Sequence, residues 1–135
     1  MLSAIRYLSL IFWQPLCSLP SLMVLDPELD ELRREFLAEA TDKVGEIQSA
    51  LDTGHSTESL DRLAYLSHQL KGAGGSYGYE KISSEAAEIE KAAERIAAGE
   101  GAAVNGSLQQ HVINLRAEIE KRRRELDLRQ PSPVQ

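Results

Sequence analysis

The chain has 135 residues, of which 42% are hydrophobic, 27% are charged and 5% are aromatic, and its net charge is −6. Few aromatic residues and no long alternation of apolar and polar residues favour a single all-α domain with its own core. The negative charge argues against nucleic acid as the main partner. The single cysteine, Cys17, excludes an intramolecular disulfide framework and a cysteine-rich metal site, so we expect a reducing, cytoplasmic location.

Residues 1–24 differ in composition from the rest of the chain. They are apolar with a single positive charge at Arg6, and Pro15 interrupts the apolar run before it reaches the about 18–20 residues that a membrane span needs. We therefore expect no membrane partner, and we interpret this leader as an upstream extension, disordered or forming an extra helix, with translation starting at Met23. A weak signal peptide and a membrane-leaning anchor are the alternatives.

Four amphipathic helices are predicted within a domain of residues 25–130, followed by a polar tail at 131–135. The first starts at Asp26-Pro27, an N-cap acid before a proline, and carries apolar residues at spacings of three and four. Short loops join the helices, which predicts an antiparallel up-and-down four-helix bundle. The predicted bounds are 27 to about 52, 57 or 58 to about 78 with Ser56 or Thr57 as the N-cap, about 80–98, and about 104 or 107 to 128. The residues of the first helix predicted to face inward are Leu29, Leu32, Phe36, Ala40, Val44, Ile47 and Leu51.

The second helix contains an unusual group of glycines. Gly72, Gly74 and Gly75 lie in the helix interior, where each costs about 1 kcal/mol relative to alanine. Because a small domain has a total stability of only about 5–15 kcal/mol, glycines at these positions indicate close approach of a backbone or a partner. Gly74 falls on the apolar stripe and is predicted to serve helix packing, and Gly78 is predicted to be a C-cap.

His68 lies on the outward side of the same helix. At about 100° per residue it points roughly 120° away from the centre of the apolar stripe, and Lys71, Gly72 and Gly75 lie near it. Tyr65 lies on the same face, one turn earlier. The pattern therefore predicts an accessible imidazole, neutral for a good fraction of the time near pH 7, beside a bare strip of backbone and a cation.

The other histidines and the basic run at 121–124 are interpreted as incidental. His55 falls in a loop and His111 on the fourth helix, and neither has metal-ligand spacing, so no metal site is expected. The basic run occupies the last turns of a helix, where cations interact favourably with the helix dipole. Glu118 and other acids interleave with the run, which predicts a solvated helix end.

The spacing His68-x-Leu70-Lys71-Gly72, with a further glycine at Gly78, resembles the signature of histidine-containing phosphotransfer (HPt) domains. The resemblance covers residues 26–128, since the number of helices, their lengths and the place of the motif on the second helix agree. It implies a four-helix bundle that relays a phosphoryl group between the aspartates of receiver domains in a two-component phosphorelay. The implied partners are response-regulator receiver domains, which supply Mg²⁺, and an upstream hybrid histidine kinase.

The resemblance also implies roles for individual residues. His68 would be the phosphoacceptor, phosphorylated at Nε2, and Lys71 would neutralise charge on the phosphoryl group. Gly72 and Gly75 would leave room for the active-site loops of the receiver. Glu90 occupies the place of a polar residue on the next helix that holds the other histidine nitrogen, so it would fix the tautomer of the ring.

Each of these residues also has an interpretation without function. A lone helix histidine is more often a solvated or a core residue, and only the lysine and glycine spacing favours a functional His68. Lys71 could simply extend along the edge of the bundle, and Glu90 could be an ordinary solvated charge. Tyr65 could form part of an apolar docking patch or cover the rim of the bundle.

The sequence contains no Walker-type phosphate loop and no nucleotide-binding segment. We therefore expect that the chain has no kinase domain and cannot take phosphate from ATP itself. The resemblance implies a phosphoryl carrier without a cofactor of its own, not an enzyme, and we expect it to be a monomer. The alternative is a non-catalytic helical adaptor that binds a receiver or a kinase without phosphotransfer, in which case His68→Ala leaves activity intact. A metal-binding bundle is a third interpretation, disfavoured because the carboxylates lie mostly on exposed faces.

Overall fold

The computed structural model describes residues 27–129, which form four helices and, within that range, no strand. The helices are α1 (Pro27–Asp52), α2 (Thr57–Ser76), α3 (Glu80–Ala97) and α4 (Gly101–Arg129). The predicted all-α helical bundle is confirmed. The predicted leader, the tail and the N-cap at Asp26 lie outside the described residues.

Hydrogen bonds between the helices establish their order around the bundle. Each helix is bonded to the next one in the chain and α4 is bonded to α1, and because the connections are only three or four residues long, successive helices run antiparallel. The pairs are Glu46 with Arg62 (α1 and α2), Lys71 with Ser83 (α2 and α3), Glu85 with His111 (α3 and α4) and Thr41 with Arg123 (α1 and α4).

One face of α2 is buried in the bundle and the opposite face is exposed to solvent. Burial of each large apolar side chain stabilises the fold by about 1.5–3 kcal/mol, which fixes the rotation of the helix about its axis. Ser67 is the polar member of the stripe, and its hydroxyl donates to the backbone carbonyl of Leu63 at 2.7 Å. The buried residues of α2 are Leu60, Leu63, Leu66, Ser67, Leu70 and Gly74.

Both ends of α2 carry specific caps. Ser56 is the N-cap, and its hydroxyl accepts a hydrogen bond from the backbone N–H of Ser59 at 3.1 Å. At the other end, Gly78 adopts a φ of +84°, and the N–H of Tyr79 donates to the carbonyl of Gly74 at 2.8 Å. This is a Schellman cap, and it requires a residue that tolerates positive φ. The chain therefore reverses at Gly78, and α3 packs back along α2.

Two expectations about the helices are wrong. The fourth helix starts at Gly101, earlier than the predicted start at Val104 or Ser107, because the chain reverses at Gly99 (φ +99°) and helical structure resumes almost at once. Leu32, predicted on the inward stripe, is 47% exposed. Apolar spacing indicates which residues share a face, but it does not indicate how far along the helix that face is covered.

Residues 27–33, the first turns of α1, belong to a different compact unit from residues 34–129. Within them, Arg33 forms an ion pair with Asp30 at 3.5 Å.

Among the residues that the structure describes, no helix combines the length and the apolar character needed to cross a membrane.

Candidate functional site

The site lies where α2 and α3 pack closely beyond His68. A Cβ placed on Gly74 would lie 3.2 Å from both the backbone nitrogen of Ser83 and Cγ2 of Ile82. This separation is tighter than ordinary van der Waals contact, so glycine at 74 allows the two helices to approach. Gly74 therefore serves packing inside the domain.

His68 and Glu90 are brought together across this helix pair. Oε2 of Glu90 lies 3.0 Å from Nδ1 of His68. The histidine side chain is 66% exposed, whereas the glutamate side chain is only 18% exposed. The carboxylate thus holds the inner nitrogen of an imidazole that is otherwise open to solvent.

Lys71 contacts the same carboxylate. Its Nζ lies 3.1 Å from Oε1 of Glu90, and its side chain is 41% exposed. Each oxygen of Glu90 therefore has its own partner, one on the histidine and one on the lysine. Because both partners lie on α2, one turn apart, this single carboxylate of α3 fixes a cation beside the imidazole.

The charge state of Glu90 determines the tautomer of the histidine. Partial burial opposes ionisation of the carboxyl group, but hydrogen bonds from Lys71 and His68 outweigh it and hold the pKa of Glu90 below its ordinary value. Glu90 is therefore ionised at neutral pH and can only accept hydrogen bonds. Nδ1 of His68 must be the donor, so in the neutral ring Nε2 carries the lone pair.

The glycines on the outward side have no packing role within the domain. A Cβ on Gly72 would meet nothing within 4 Å, and a Cβ on Gly75 would meet only the hydroxyl of Ser83, at 3.7 Å. Both residues are exposed. The strip of backbone beside His68 is thus open to an approaching molecule, and the cost in helix stability at Gly72 is not offset by any internal contact.

Ser83 is a residue of the site that the sequence did not reveal. Its hydroxyl donates to the backbone carbonyl of Lys71 at 2.8 Å, between α3 and α2. Ser83 precedes Glu90 by seven residues, two helical turns, and therefore lies on the same face of α3. That spacing was the only signal that could have identified it.

Tyr65 lies one turn before His68 and is 53% exposed. Its hydroxyl accepts a hydrogen bond from the Gln69 side-chain amide at 2.8 Å, and the Arg62 guanidinium lies 5.8 Å from the ring centroid. Arg62 in turn forms an ion pair with Glu46 at 2.8 Å. The ring is thus an exposed apolar surface held in place by its neighbours on α2.

Two residues that the sequence pattern predicts to be incidental or solvated, His111 and Glu118, form defined contacts instead. His111 is not incidental to the fold, because its Nδ1 lies 2.7 Å from Oε1 of Glu85 and it is only 27% exposed. Glu118 is not solvated: it is buried and accepts from Nε of Arg122 at 2.7 Å, an interaction that raises the pKa of the arginine. His55 lies exposed between α1 and α2.

Within residues 27–129, no three side chains of the metal-ligating types are grouped closely enough to hold an ion.

His111 differs from His68 in its surroundings. The residues three and four positions after it are Asn114 and the buried Leu115. His111 therefore lacks the cation and the open backbone that accompany His68.

Comparison with known proteins identifies one family. The family model described as the Hpt domain matches residues 31–126, which is more than half of the chain. The match extends from α1 to α4 and includes the residues around His68. No curated protein and no solved structure matches the chain.

Proposed function

This chain belongs to the Hpt domain family, and we propose that it relays a phosphoryl group between the aspartates of receiver domains through His68. Hpt domains act in two-component signalling as phosphoryl carriers and interact with receiver domains and histidine kinases. The observation that carries the proposal is the exposed imidazole whose Nδ1 is held by Glu90, with Lys71 on the same carboxylate.

The transfer uses the nitrogen that Glu90 leaves unoccupied. Nε2 of neutral His68 attacks the phosphorus of the receiver's aspartyl phosphate, and the bond between phosphorus and the aspartate oxygen breaks. A P–N bond forms, the aspartate leaves as a carboxylate, and the proton on Nδ1 stays in place. The reverse reaction with a second receiver completes the relay.

Lys71 and the fold supply charge and position. The lysine places a positive charge beside the phosphoryl oxygens, whose negative charge it offsets during transfer. The contacts of Glu90 keep the imidazole from rotating, so little order has to be gained when the partner arrives. We propose that the receiver contributes Mg²⁺, which neutralises charge on the phosphoryl group, and that this chain has no cofactor of its own.

Gly72 and Gly75 leave the surface next to His68 free of side chains. A receiver must bring its own aspartate into contact with Nε2, and its loops then need space beside the imidazole. The exposed ring of Tyr65 offers apolar contact area on the other side of the histidine. We propose that the receiver docks over both.

The test is phosphoryl transfer from a phosphorylated receiver domain to the full chain. His68→Gln should abolish the transfer. His111→Gln is the matched control, since that histidine also contacts a glutamate of α3 but is mostly buried. The wild type and His111→Gln should acquire an acid-labile, base-stable phosphate. Binding of receivers without transfer, by a bundle shown to be folded by circular dichroism, would instead support an adaptor.

A further inference from the structure

Glu90 contacts the imidazole through the nitrogen that does not take part in bond formation under the proposed function. Its Oε2 lies 3.0 Å from Nδ1 of His68, while Nε2 is the position of attack. Attachment of a phosphoryl group at Nε2 therefore leaves this hydrogen bond intact. Glu90 is in a position to act on the phosphorylated histidine as well as on the free one.

After phosphorylation, the proton on Nδ1 determines how good a leaving group the imidazole ring is. Attack by the neutral ring leaves the proton on Nδ1 and forms the P–N bond at Nε2, so the phosphorylated ring carries a positive charge. When that P–N bond breaks, the ring departs as a neutral imidazole. If Nδ1 has lost its proton, the departing group is an imidazolide anion, which is a far poorer leaving group.

We propose that Glu90 keeps the Nδ1 proton on phosphorylated His68 and thereby holds the phosphohistidine in the form that donates its phosphoryl group. This inference rests on the proposed function and concerns its second half. In that step an oxygen of the acceptor carboxylate forms a bond to phosphorus and the P–N bond breaks. The electron pair of the P–N bond returns to Nε2, and the Nδ1 proton remains hydrogen-bonded to Glu90 throughout.

The charge of Glu90 is what the inference requires. Since hydrogen bonds from Lys71 and His68 hold the pKa of this carboxyl below its ordinary value, the group is an anion at neutral pH. An anion stabilises a neighbouring cationic ring more strongly than a neutral amide with the same shape does. Glu90→Gln therefore retains an acceptor oxygen for Nδ1–H but removes the charge.

The other charged groups near the ring are few. On α2, Lys71 opposes a positive charge on the ring, but its ammonium is paired with the second oxygen of Glu90. Asp61 lies two turns before His68 on the same face of α2, and Glu94 lies one turn after Glu90 on α3. Among the described residues, Glu90 is the group that bonds directly to Nδ1.

The experiment starts from full-length protein phosphorylated at His68 with phosphoramidate, a small P–N phosphodonor. The rate of transfer to a receiver domain is then measured from about pH 6 to about pH 9, and the ³¹P resonance of the phosphohistidine is titrated in parallel without any acceptor. The variants are Glu90→Gln and, as matched control, Glu85→Gln, which removes the carboxylate that contacts His111.

We expect wild type and Glu90→Gln to donate at similar rates at the acidic end, where both rings are protonated. With rising pH the variant should lose activity first, by about tenfold at the alkaline end, with its ³¹P midpoint about one pH unit lower. Glu85→Gln should follow the wild type. Equal midpoints, or the same loss of rate at every pH, would overturn the inference while leaving the relay intact. A wild-type His68 that accepts no phosphoryl group would overturn the proposed function itself.

Discussion

The hydroxyl of Ser83 on α3 donates a hydrogen bond of 2.8 Å to the backbone carbonyl of Lys71 on α2. This bond joins the two helices within one turn of His68. It also lies next to Gly75, so it holds α3 against the part of α2 where glycines weaken the helix. The backbone of Lys71 is therefore held by a second side chain of α3, besides the contact of its ammonium group with Glu90.

Removal of this bond should weaken both the fold and the transfer reaction. Ser83→Ala should lower the free energy of unfolding by about 1 kcal/mol and slow phosphoryl transfer, because Lys71 is positioned less tightly. Ser84→Ala is the control, since that hydroxyl only bonds within α3, to Lys81. Urea denaturation and transfer rates measure the two effects, and equal behaviour of the two variants would contradict the assignment.

Alanine substitutions at Gly72 and Gly74 should change the free energy of unfolding in opposite directions. Gly72→Ala should raise the free energy of unfolding by about 1 kcal/mol, because its Cβ meets nothing and alanine favours the helix. The same substitution should slow transfer from a receiver. Gly74→Ala should destabilise by about 1 kcal/mol, since its Cβ would press on the backbone of Ser83. Thermal unfolding and transfer assays on both variants decide this, and Gly72→Ala with undiminished transfer would argue against docking there.

The charge of Lys71 should matter more to transfer than to stability. Lys71→Gln should reduce the rate of phosphoryl transfer about tenfold or more, with little change in unfolding because the side chain is partly exposed. Lys91→Gln removes a lysine on α3 that pairs with Glu88 and should leave the rate unchanged. Single-turnover transfer kinetics measure both, and a rate for Lys71→Gln equal to that of wild type would exclude the proposed role.

Among the basic residues at 121–124, Arg122 should contribute most to stability, because it pairs with the buried carboxylate of Glu118. Arg122→Ala leaves that carboxylate without its partner and should destabilise the protein by about 1–3 kcal/mol. Arg124→Ala, at an exposed position two residues later, should change stability by less than about 0.5 kcal/mol. Chemical denaturation of both variants checks this, and a similar loss for both would mean that the run acts only through its net charge.

The contribution of Glu90 to stability should depend on pH in a defined direction. Its pKa in the folded protein is below the ordinary value of 4.5, so folding favours the ionised form. The stabilisation relative to Glu90→Gln should be complete above about pH 5 and disappear as the pH falls through the folded pKa. Its size should be at most about 1 kcal/mol, because His68 is largely exposed and Lys71 partly exposed, so solvent screens both interactions. Urea midpoints of the two proteins over an acidic pH series test this, and a difference that grows on acidification would be the wrong sign.

The local features of this protein follow from short-range signals in the sequence. The N-cap of α2 at Ser56, the chain reversal at Gly78 and the outward direction of His68 each depend on residues within one or two turns of one another. Helical period, N-caps and positive-φ glycines act within a single segment of chain. The sequence alone therefore determined the number and order of the helices, the buried stripe of α2 and the face on which the histidine lies.

Contacts between helices were decided by the tertiary structure. Whether Glu90 reaches His68, and whether Ser83 or Glu85 finds a partner on another helix, depends on the axial shift and rotation of antiparallel helices. Those are set by how complete apolar surfaces interlock, which no local spacing records. For the same reason Glu118, a charged residue of α4, is buried, whereas the apolar Leu32 is exposed.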